Sequence, residues 1–333
     1  MSNFIEATKL CKSYNNNLAL DNVSFSVQKG ELYGFIGADG AGKTTLFEIM
    51  TTLLLPDKGR AHIGDWDVIK DYVKIRSHIG YMPGKFSLYQ DLTVQENLQF
   101  FAKVFHTTIK ENYFMIESIY KLLEPFAGRK AGDLSGGMKQ KLALCCALIR
   151  NPKVLFLDEP TTGVDPVSRT DFWENLQEIK KRGITIIVST PYMDEAVQCD
   201  RVALIHNGKL MKINTPENII DQFEKKIISI KTSNKFMLLE TLRKYSNYEA
   251  VYAFGENIHF VINNETAINQ KAELQKYLDQ NFQNDFSLQF STPEFEDCFL
   301  NFMRNEDHSP LKGGKTTEVG SGVWSNRGLS SND

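Results

Sequence analysis

Gly37-Ala38-Asp39-Gly40-Ala41-Gly42-Lys43-Thr44-Thr45 is the stretch whose reading decides the fold. An apolar run before it, Leu32–Ile36, reads as a buried strand, and the residues after it read as a helix from about Thr44 to Met50. The pattern G-x-x-x-x-G-K-[ST] in that strand–loop–helix setting is a phosphate loop. Its glycines let the backbone close around anionic oxygens, and the amides and helix N-terminus present positive potential to them. Lys43 is then expected to reach the β- and γ-phosphates of a nucleotide, and Thr44 to hold Mg²⁺.

Two downstream segments fit the same chemistry. Val154-Leu155-Phe156-Leu157-Asp158-Glu159 is an apolar strand ending in two carboxylates. Asp158 at the strand end can support the Mg²⁺ shell. Glu159 points elsewhere and can orient or deprotonate an attacking water. Leu134-Ser135-Gly136-Gly137-Met138 precedes a helix read from Lys139 to about Arg150, a second anion-binding device. Two such devices flanking one acid pair do not readily serve one phosphate group within a single chain. The economical arrangement is a head-to-tail dimer in which each Ser-Gly-Gly closes on the other chain's nucleotide.

The string LSGGMKQKLALCCALIRNPKVLFLDEPTTGVDP, with the phosphate loop upstream, strongly resembles the nucleotide-binding domain of ABC transporters. The resemblance covers about residues 3 to 220. It implies an α/β P-loop NTPase (RecA-like) core with an N-terminal antiparallel β subdomain and an inserted helical subdomain. It implies ATP and Mg²⁺ as cofactors, with Gly37, Ala38, Asp39, Gly40, Ala41, Gly42, Lys43, Thr44 and Thr45 around the phosphates and Glu159 as the catalytic base. Tyr14 stands where the family has an aromatic that stacks on adenine. Asp165, in Gly163-Val164-Asp165-Pro166, matches a loop that contacts the partner domain, beside Ser135, Gly136 and Gly137. Met138 after Ser-Gly-Gly, and an α+β segment after the core, look like the drug-efflux and ABC-2-type exporter branch. That branch pairs such ATPases with a separate membrane permease, so the expected partners are a permease and a second ATP-binding subunit, the same or different.

Three positions depart from the family pattern. Gly84 replaces a Gln after Ile79-Gly80-Tyr81-Met82-Pro83, Pro191 replaces a switch His, and Asp39 stands where Asn is usual. Glycine has no side chain to ligate metal or place water, and proline has neither an imidazole nor an N–H. Loss of a preorganised transition-state donor costs on the order of 10²–10³ in rate. An alternative function follows: a hydrolysis-poor regulatory ATP-binding subunit that serves an active partner. A soluble ABC protein acting on ribosomes or DNA is disfavoured. Such proteins usually carry two of these domains or long coiled-coil insertions, and neither is read here.

The rest of the sequence sets the frame. With 333 residues, about two domains of ~150 are expected. The formal charge of −3 gives no electrostatic case for nucleic acid. No run approaches ~18 apolar residues, and Met1–Glu6 lacks a secretory leader, so the chain is expected in the cytoplasm, peripheral to the membrane. Val154–Leu157, Ile184–Ser189 and Val202–Ile205 join Leu32–Ile36 as apolar runs of a mostly parallel sheet. Strand signals vanish from about 85 to 150, where Thr93 and Glu96 form a capping box opening a helix.

The nucleotide domain is thus read over 1–223. Residues 224–304 read as a small domain in the ferredoxin-like order β-α-β-β-α-β. Its strands are Lys226–Thr232, Tyr248–Phe254, Ile258–Ile262 and Phe286–Phe290, and its helices Phe236–Tyr245 and Ala267–Leu278. A last helix is read from Thr292-Pro293-Glu294, with Thr292 as cap. Residues 305–333 read as a disordered tail. Within it Gly313-Gly314-Lys315-Thr316-Thr317 imitates a phosphate loop but lacks its first glycine and a preceding strand. Five cysteines without a C-x-x-C and six histidines without metal spacing read as core thiols and ordinary side chains.

Overall fold

The computed structural model describes residues 3–15, 17–85, 87–246, 248–262, 267–283 and 285–307. The chain opens with two long antiparallel strands, β1 (Asn3–Tyr14) and β2 (Asn17–Gln28). β3 (Leu32–Ile36) leads through the glycine loop into helix α1 (Lys43–Met50). β4 (Lys58–Ile63) and β5 (Trp66–Asp67) return to β1 and complete an antiparallel sheet, β2-β1-β4-β5.

Helix α2 (Tyr72–His78) and β6 (Ile79–Met82) carry the chain to one edge of the main sheet. Helices α3 (Val94–Val104), α4 (Ile109–Tyr120) and α5 (Gly136–Leu148) are inserted before β7 (Val154–Asp158). Then come α6 (Pro166–Lys181), β8 (Thr185–Thr190), β9 (Arg201–His206), β10 (Lys209–Asn214) and α7 (Pro216–Asp221). The main sheet runs β10-β9-β3-β8-β7-β6 and is parallel except for β10. β10 doubles back on β9 through Asn207 and Gly208, both at positive φ, +47° and +75°, as a tight hairpin of the Asn-Gly kind requires.

The period of two along each buried strand divides the core into layers. Tyr33, Phe35 and Phe156 pack toward the antiparallel sheet and Phe47 of α1. Leu32, Ile36, Leu155 and Leu157 pack on the other face, toward α5 and α6. Cys145 and Cys146 lie in that second layer as free buried thiols, and burial pushes both well above the usual range for a thiol.

The following segment is a third sheet, β12-β13-β11-β14. It is built from β11 (Lys226–Thr232), β12 (Ala250–Phe254), β13 (Asn257–Ile262) and β14 (Phe286–Ser291), with all pairings antiparallel. Helices α8 (Lys235–Arg243) and α9 (Ala267–Asn281) bury Leu238, Leu242, Leu274 and Leu278 against Ile228, Ile230 and Phe260 of one face. β12 begins at Ala250, two residues later than the sequence suggests. The ring of Tyr248 is instead turned in against Phe260, with centroids 5.7 Å apart.

The last helix, α10 (Phe295–Asp307), starts later than the Thr-Pro-Glu signal implies. Asp297 decides the start, because its carboxylate accepts the Glu294 N–H at 2.7 Å, as an acidic third residue does in a capping box. The same carboxylate, 1% exposed, accepts from Tyr252 at 2.6 Å and pairs with His259 Nδ1 at 2.7 Å on the face of the third sheet that α8 and α9 leave free. Phe295, Cys298 and Phe299 point the other way, into the core layer of the main sheet beside α7 and the 3-10 turn Met193–Gln198. Helix α10 therefore joins the third sheet to the main one. The tail expected from 305 overlaps the end of α10, and residues 308–333, with the Gly313–Thr317 stretch, lie outside the described residues.

The inserted helices are held at their entrance by Asn97, which is wholly buried. Its amide donates to the carbonyls of Tyr89, Leu92 and Thr93, and its oxygen accepts from the Tyr89 N–H. Thr93 and Glu96 make the capping box read from the sequence. Asn97→Ala removes these four hydrogen bonds and takes away the acceptor of the Tyr89 N–H, while the carbonyls of Tyr89, Leu92 and Thr93 keep backbone donors. It should destabilise the fold by about 1–3 kcal/mol, measured as a fall in the denaturant midpoint with an unchanged slope.

Candidate functional site

The glycine loop leaves the carboxyl end of β3, where open α/β sheets place their ligands. Two of its glycines are dictated by close approach. A Cβ on Gly37 would lie 2.2 Å from the Ile205 carbonyl oxygen, and one on Gly42 would lie 2.4 Å from that of Ala19. Gly42 also sits at φ +104°, outside the reach of other residues. The Asn207-Gly208 hairpin braces the loop from below: the Gly208 N–H donates to the Ala41 carbonyl at 3.0 Å.

Lys43 opens α1 and is 3% exposed. Its ammonium donates to the carbonyls of Gly37 at 2.8 Å and Ala38 at 3.0 Å, and pairs with Glu159 at 3.0 Å. No side chain caps the first turn of α1. A cleft of about 530 Å³ lies over this turn. Lys43, Thr44 and Thr45 line it, with Glu159 opposite and Tyr14 and Leu18 at the rim. Tyr14 is 44% exposed at the mouth, with the Lys12 ammonium 5.9 Å over its ring.

The two carboxylates diverge, as the sequence suggests. Asp158, 1% exposed, accepts the Ser189 hydroxyl of the neighbouring strand β8. Glu159 leaves the strand at φ +49°, a left-handed value that costs a non-glycine residue about 1–3 kcal/mol. Its N–H donates to both the carbonyl and the hydroxyl of Ser189, each at 3.0 Å. That bifurcated bond holds the turn and sends the Glu159 side chain into the cleft, where it is 23% exposed.

The Ser-Gly-Gly segment is elsewhere. Ser135 caps α5, accepting the Met138 N–H at 3.4 Å. Gly137 packs so closely on α6 that a Cβ there would meet Ser168 Oγ at 2.5 Å. Asp165 caps α6 by accepting the Ser168 N–H at 3.0 Å, and that hydrogen bond holds its carboxyl below the usual range. Ser135, Gly136 and Asp165 thus lie exposed at the starts of α5 and α6, with Gly137 buried beside them, and none of the four lines the cleft. Asp39 is exposed on the loop and does not line the cleft either. Gly84 follows β6, and a Cβ on it would lie 3.2 Å from the Asp158 carbonyl oxygen. Pro191 follows β8, whose last carbonyl, on Thr190, accepts the Gly37 N–H at 3.3 Å.

Ser189 and the Asn207-Gly208 hairpin are site residues that sequence reasoning misses. The Asn-Gly pair is a recognisable turn signal, whereas Ser189 is one polar residue at the end of an apolar strand and has no signature of its own.

The family model for ABC transporters matches residues 20–162, which take in the glycine loop, Ser135–Gly137 and both strand-end acids. A probable multidrug ABC transporter ATP-binding protein, YbhF of Escherichia coli, is 42% identical over 220 residues, 65% of this chain. The chain spans 38% of that relative's length. Nod factor export ATP-binding protein I of Burkholderia thailandensis is 34% identical over 271 residues, 80% of this chain and 88% of the relative. Among solved structures, the dimeric post-hydrolysis ATP-binding cassette MJ0796 with ADP and Pi superposes with a TM-score of 0.58 at 25% identity, over 63% of this chain and 98% of the other. Likeness of that extent runs through the glycine loop and the acid pair alike, and the chain belongs to the ABC transporter family, as one of its ATP-binding proteins.

Proposed function

We propose that this chain is the ATP-hydrolysing subunit of an ABC exporter, binding Mg-ATP over α1 and passing dimer closure to a separate permease. The observation that carries the reading is the Lys43 ammonium, held between two loop carbonyls and the Glu159 carboxylate at the uncapped start of α1. An anion of phosphate charge entering there competes with Glu159 for Lys43. Displaced from the ammonium, Glu159 is free to take a proton from a water aligned on the γ-phosphate. The loop amides and Lys43 hold the phosphates in line, and catalysis is chiefly positioning and charge.

The donor set fits Mg²⁺, which takes few protein ligands and completes its shell with phosphate oxygens and water. Thr44 supplies a hydroxyl at the cleft, and Asp158, fixed by Ser189, a carboxylate behind it. The ion, when bound, neutralises charge on the β- and γ-phosphate oxygens. Tyr14 at the rim offers a face for the adenine ring.

Ser135, Gly136, Gly137 and Asp165 do not line the chain's own cleft, which supports their serving a second subunit head to tail. The dimeric cassette among the structural neighbours, and relatives named for multidrug and Nod factor export, support the same reading. Among the described residues no helix is long and apolar enough to cross a membrane, so the permease is a separate element of this proposal. A second reading, the slow regulatory subunit, is favoured by Gly84, which presents no side chain beside Asp158, and by Pro191, which presents no donor.

Three measurements test the proposal. Lys43→Ala should weaken ATP binding about 10- to 100-fold, the loss of charge-assisted contacts of ~1.5–3 kcal/mol. Equal affinity by calorimetry would refute the site. Glu159→Gln should act in the opposite direction, since it removes the anion that competes for Lys43, and bind ATP several-fold more tightly. Weaker binding by that variant would mean that Glu159 is no competitor. In a pair with a partner whose own switch residues are complete, the second reading expects Ser135→Arg here to cost more steady-state phosphate release than Glu159→Gln here. The reverse order would show that this chain's own cleft performs the hydrolysis.

A further inference from the structure

The 3-10 turn Met193–Gln198 does not line the cleft, yet it carries Glu195, 2% exposed. Burying a carboxylate costs several kcal/mol unless donors surround it, and here they come from three separate segments. Thr161 donates its hydroxyl at 2.7 Å, Thr190 at 2.5 Å, and Arg169 of α6 its Nε at 3.2 Å. Each segment leads to the cleft or its dimer-facing counterpart. Thr161 lies two residues past Glu159, in a turn closed by the Thr162 N–H on the Glu159 carbonyl. Thr190 is the residue whose carbonyl accepts the Gly37 N–H of the phosphate loop. Arg169 follows Asp165 in the first turns of α6, forks onto Asp194 at 2.9 Å and lies 4.3 Å over the Tyr192 ring.

Pro191 explains why side chains are needed here. It has no N–H, so the backbone after β8 has no donor at that point. The Thr190 hydroxyl compensates: it accepts the Tyr192 N–H at 3.0 Å while donating to Glu195.

We propose that Glu195 is a positioning residue for the hydrolytic step, clamping the turn that carries Glu159 to the strand end that supports Gly37. The inference rests on the ATPase reading given above. In it, Glu195 touches neither nucleotide nor water. It fixes the distance between the base and the phosphate loop, the quantity on which in-line attack depends most steeply.

The test uses the full chain paired with a subunit whose own catalytic base is replaced, so that phosphate release reports this chain's cleft. Glu195→Gln keeps the shape of the side chain and removes its charge. Thr161→Val is a second variant that leaves Arg169 paired. Each should lower kcat about 10- to 100-fold while the ATP dissociation constant stays within about twofold. The double variant should be no worse than the more severe single one, as expected of one coupled unit. Hydrogen exchange in the peptides holding Gly37 and Glu159 should accelerate in both variants without nucleotide. It should stay unchanged in Asn97→Ala at a comparable loss of thermal stability. Unaltered kcat in a hydrolysing pair, or a kcat loss equal to that of Asn97→Ala, overturns the proposal. If the wild-type pair proves not to hydrolyse ATP, the ATPase reading fails. The exchange rates still decide the clamp in that case: faster exchange at the two peptides supports it, and unchanged exchange overturns it.

Discussion

A buried ammonium has three protons to place and no water to place them on. Lys43 meets that demand with two backbone carbonyls of its own loop and one carboxylate from the end of β7, two strands away. Much of the surrounding architecture follows. The loop must curl back for Gly37 and Ala38 to present their oxygens, which brings Gly37 against Ile205 and Gly42 against Ala19 at distances no side chain tolerates. The strand that supplies the carboxylate must end beside the loop with Glu159 turned out of line. Ser189 holds that turn from β8, which lies between β3 and β7 in the sheet. The parallel order of the main sheet thus carries the site: it brings the ends of β3, β8 and β7 together at one edge.

The two surfaces of the molecule divide the labour. The cleft over α1 gathers cation, hydroxyls and one acid. The joint between α5 and α6 gathers Ser135, Gly136, Gly137 and Asp165 around two helix starts, with side chains capping both. A cap already satisfies part of a helix N-terminus, whereas the first turn of α1 has none. The uncapped turn is the one in need of an external anion, and it is the turn over which the cleft opens.

What local pattern encodes is legible in the sequence. β3 and β11 occupy the residues that their apolar runs mark, and Thr93 with Glu96 opens α3 by contacts within four residues. The loop, Lys43 and the strand-end acids are legible because their spacing is itself the chemical requirement. Features decided by distant partners are not. Asp297 moves the start of α10 beyond Pro293, drawn by Tyr252 and His259, which no window around residue 297 contains. Ser189 and Glu195 carry no local signature and gain their roles only when β7, β8 and the 193–198 turn are assembled around them. The inner strand of the Asn-Gly hairpin was readable, but its bracing of Ala41 depends on the sheet order and could not be read from residues 201–214 alone.

Helix α10 has a consequence for how the chain is made. Phe295, Cys298 and Phe299 complete a core layer whose other members belong to residues emerging far earlier, such as Leu32, Ile36 and Ile219. During synthesis, the flank beside α7 stays open to water until the last helix leaves the ribosome, and open apolar surface invites association. The intervening third sheet must then be folded, or at least kept from competing, before α10 can close the gap. Order of manufacture is thereby tied to final stability: the first part of the molecule to be synthesised reaches its full core only with α10.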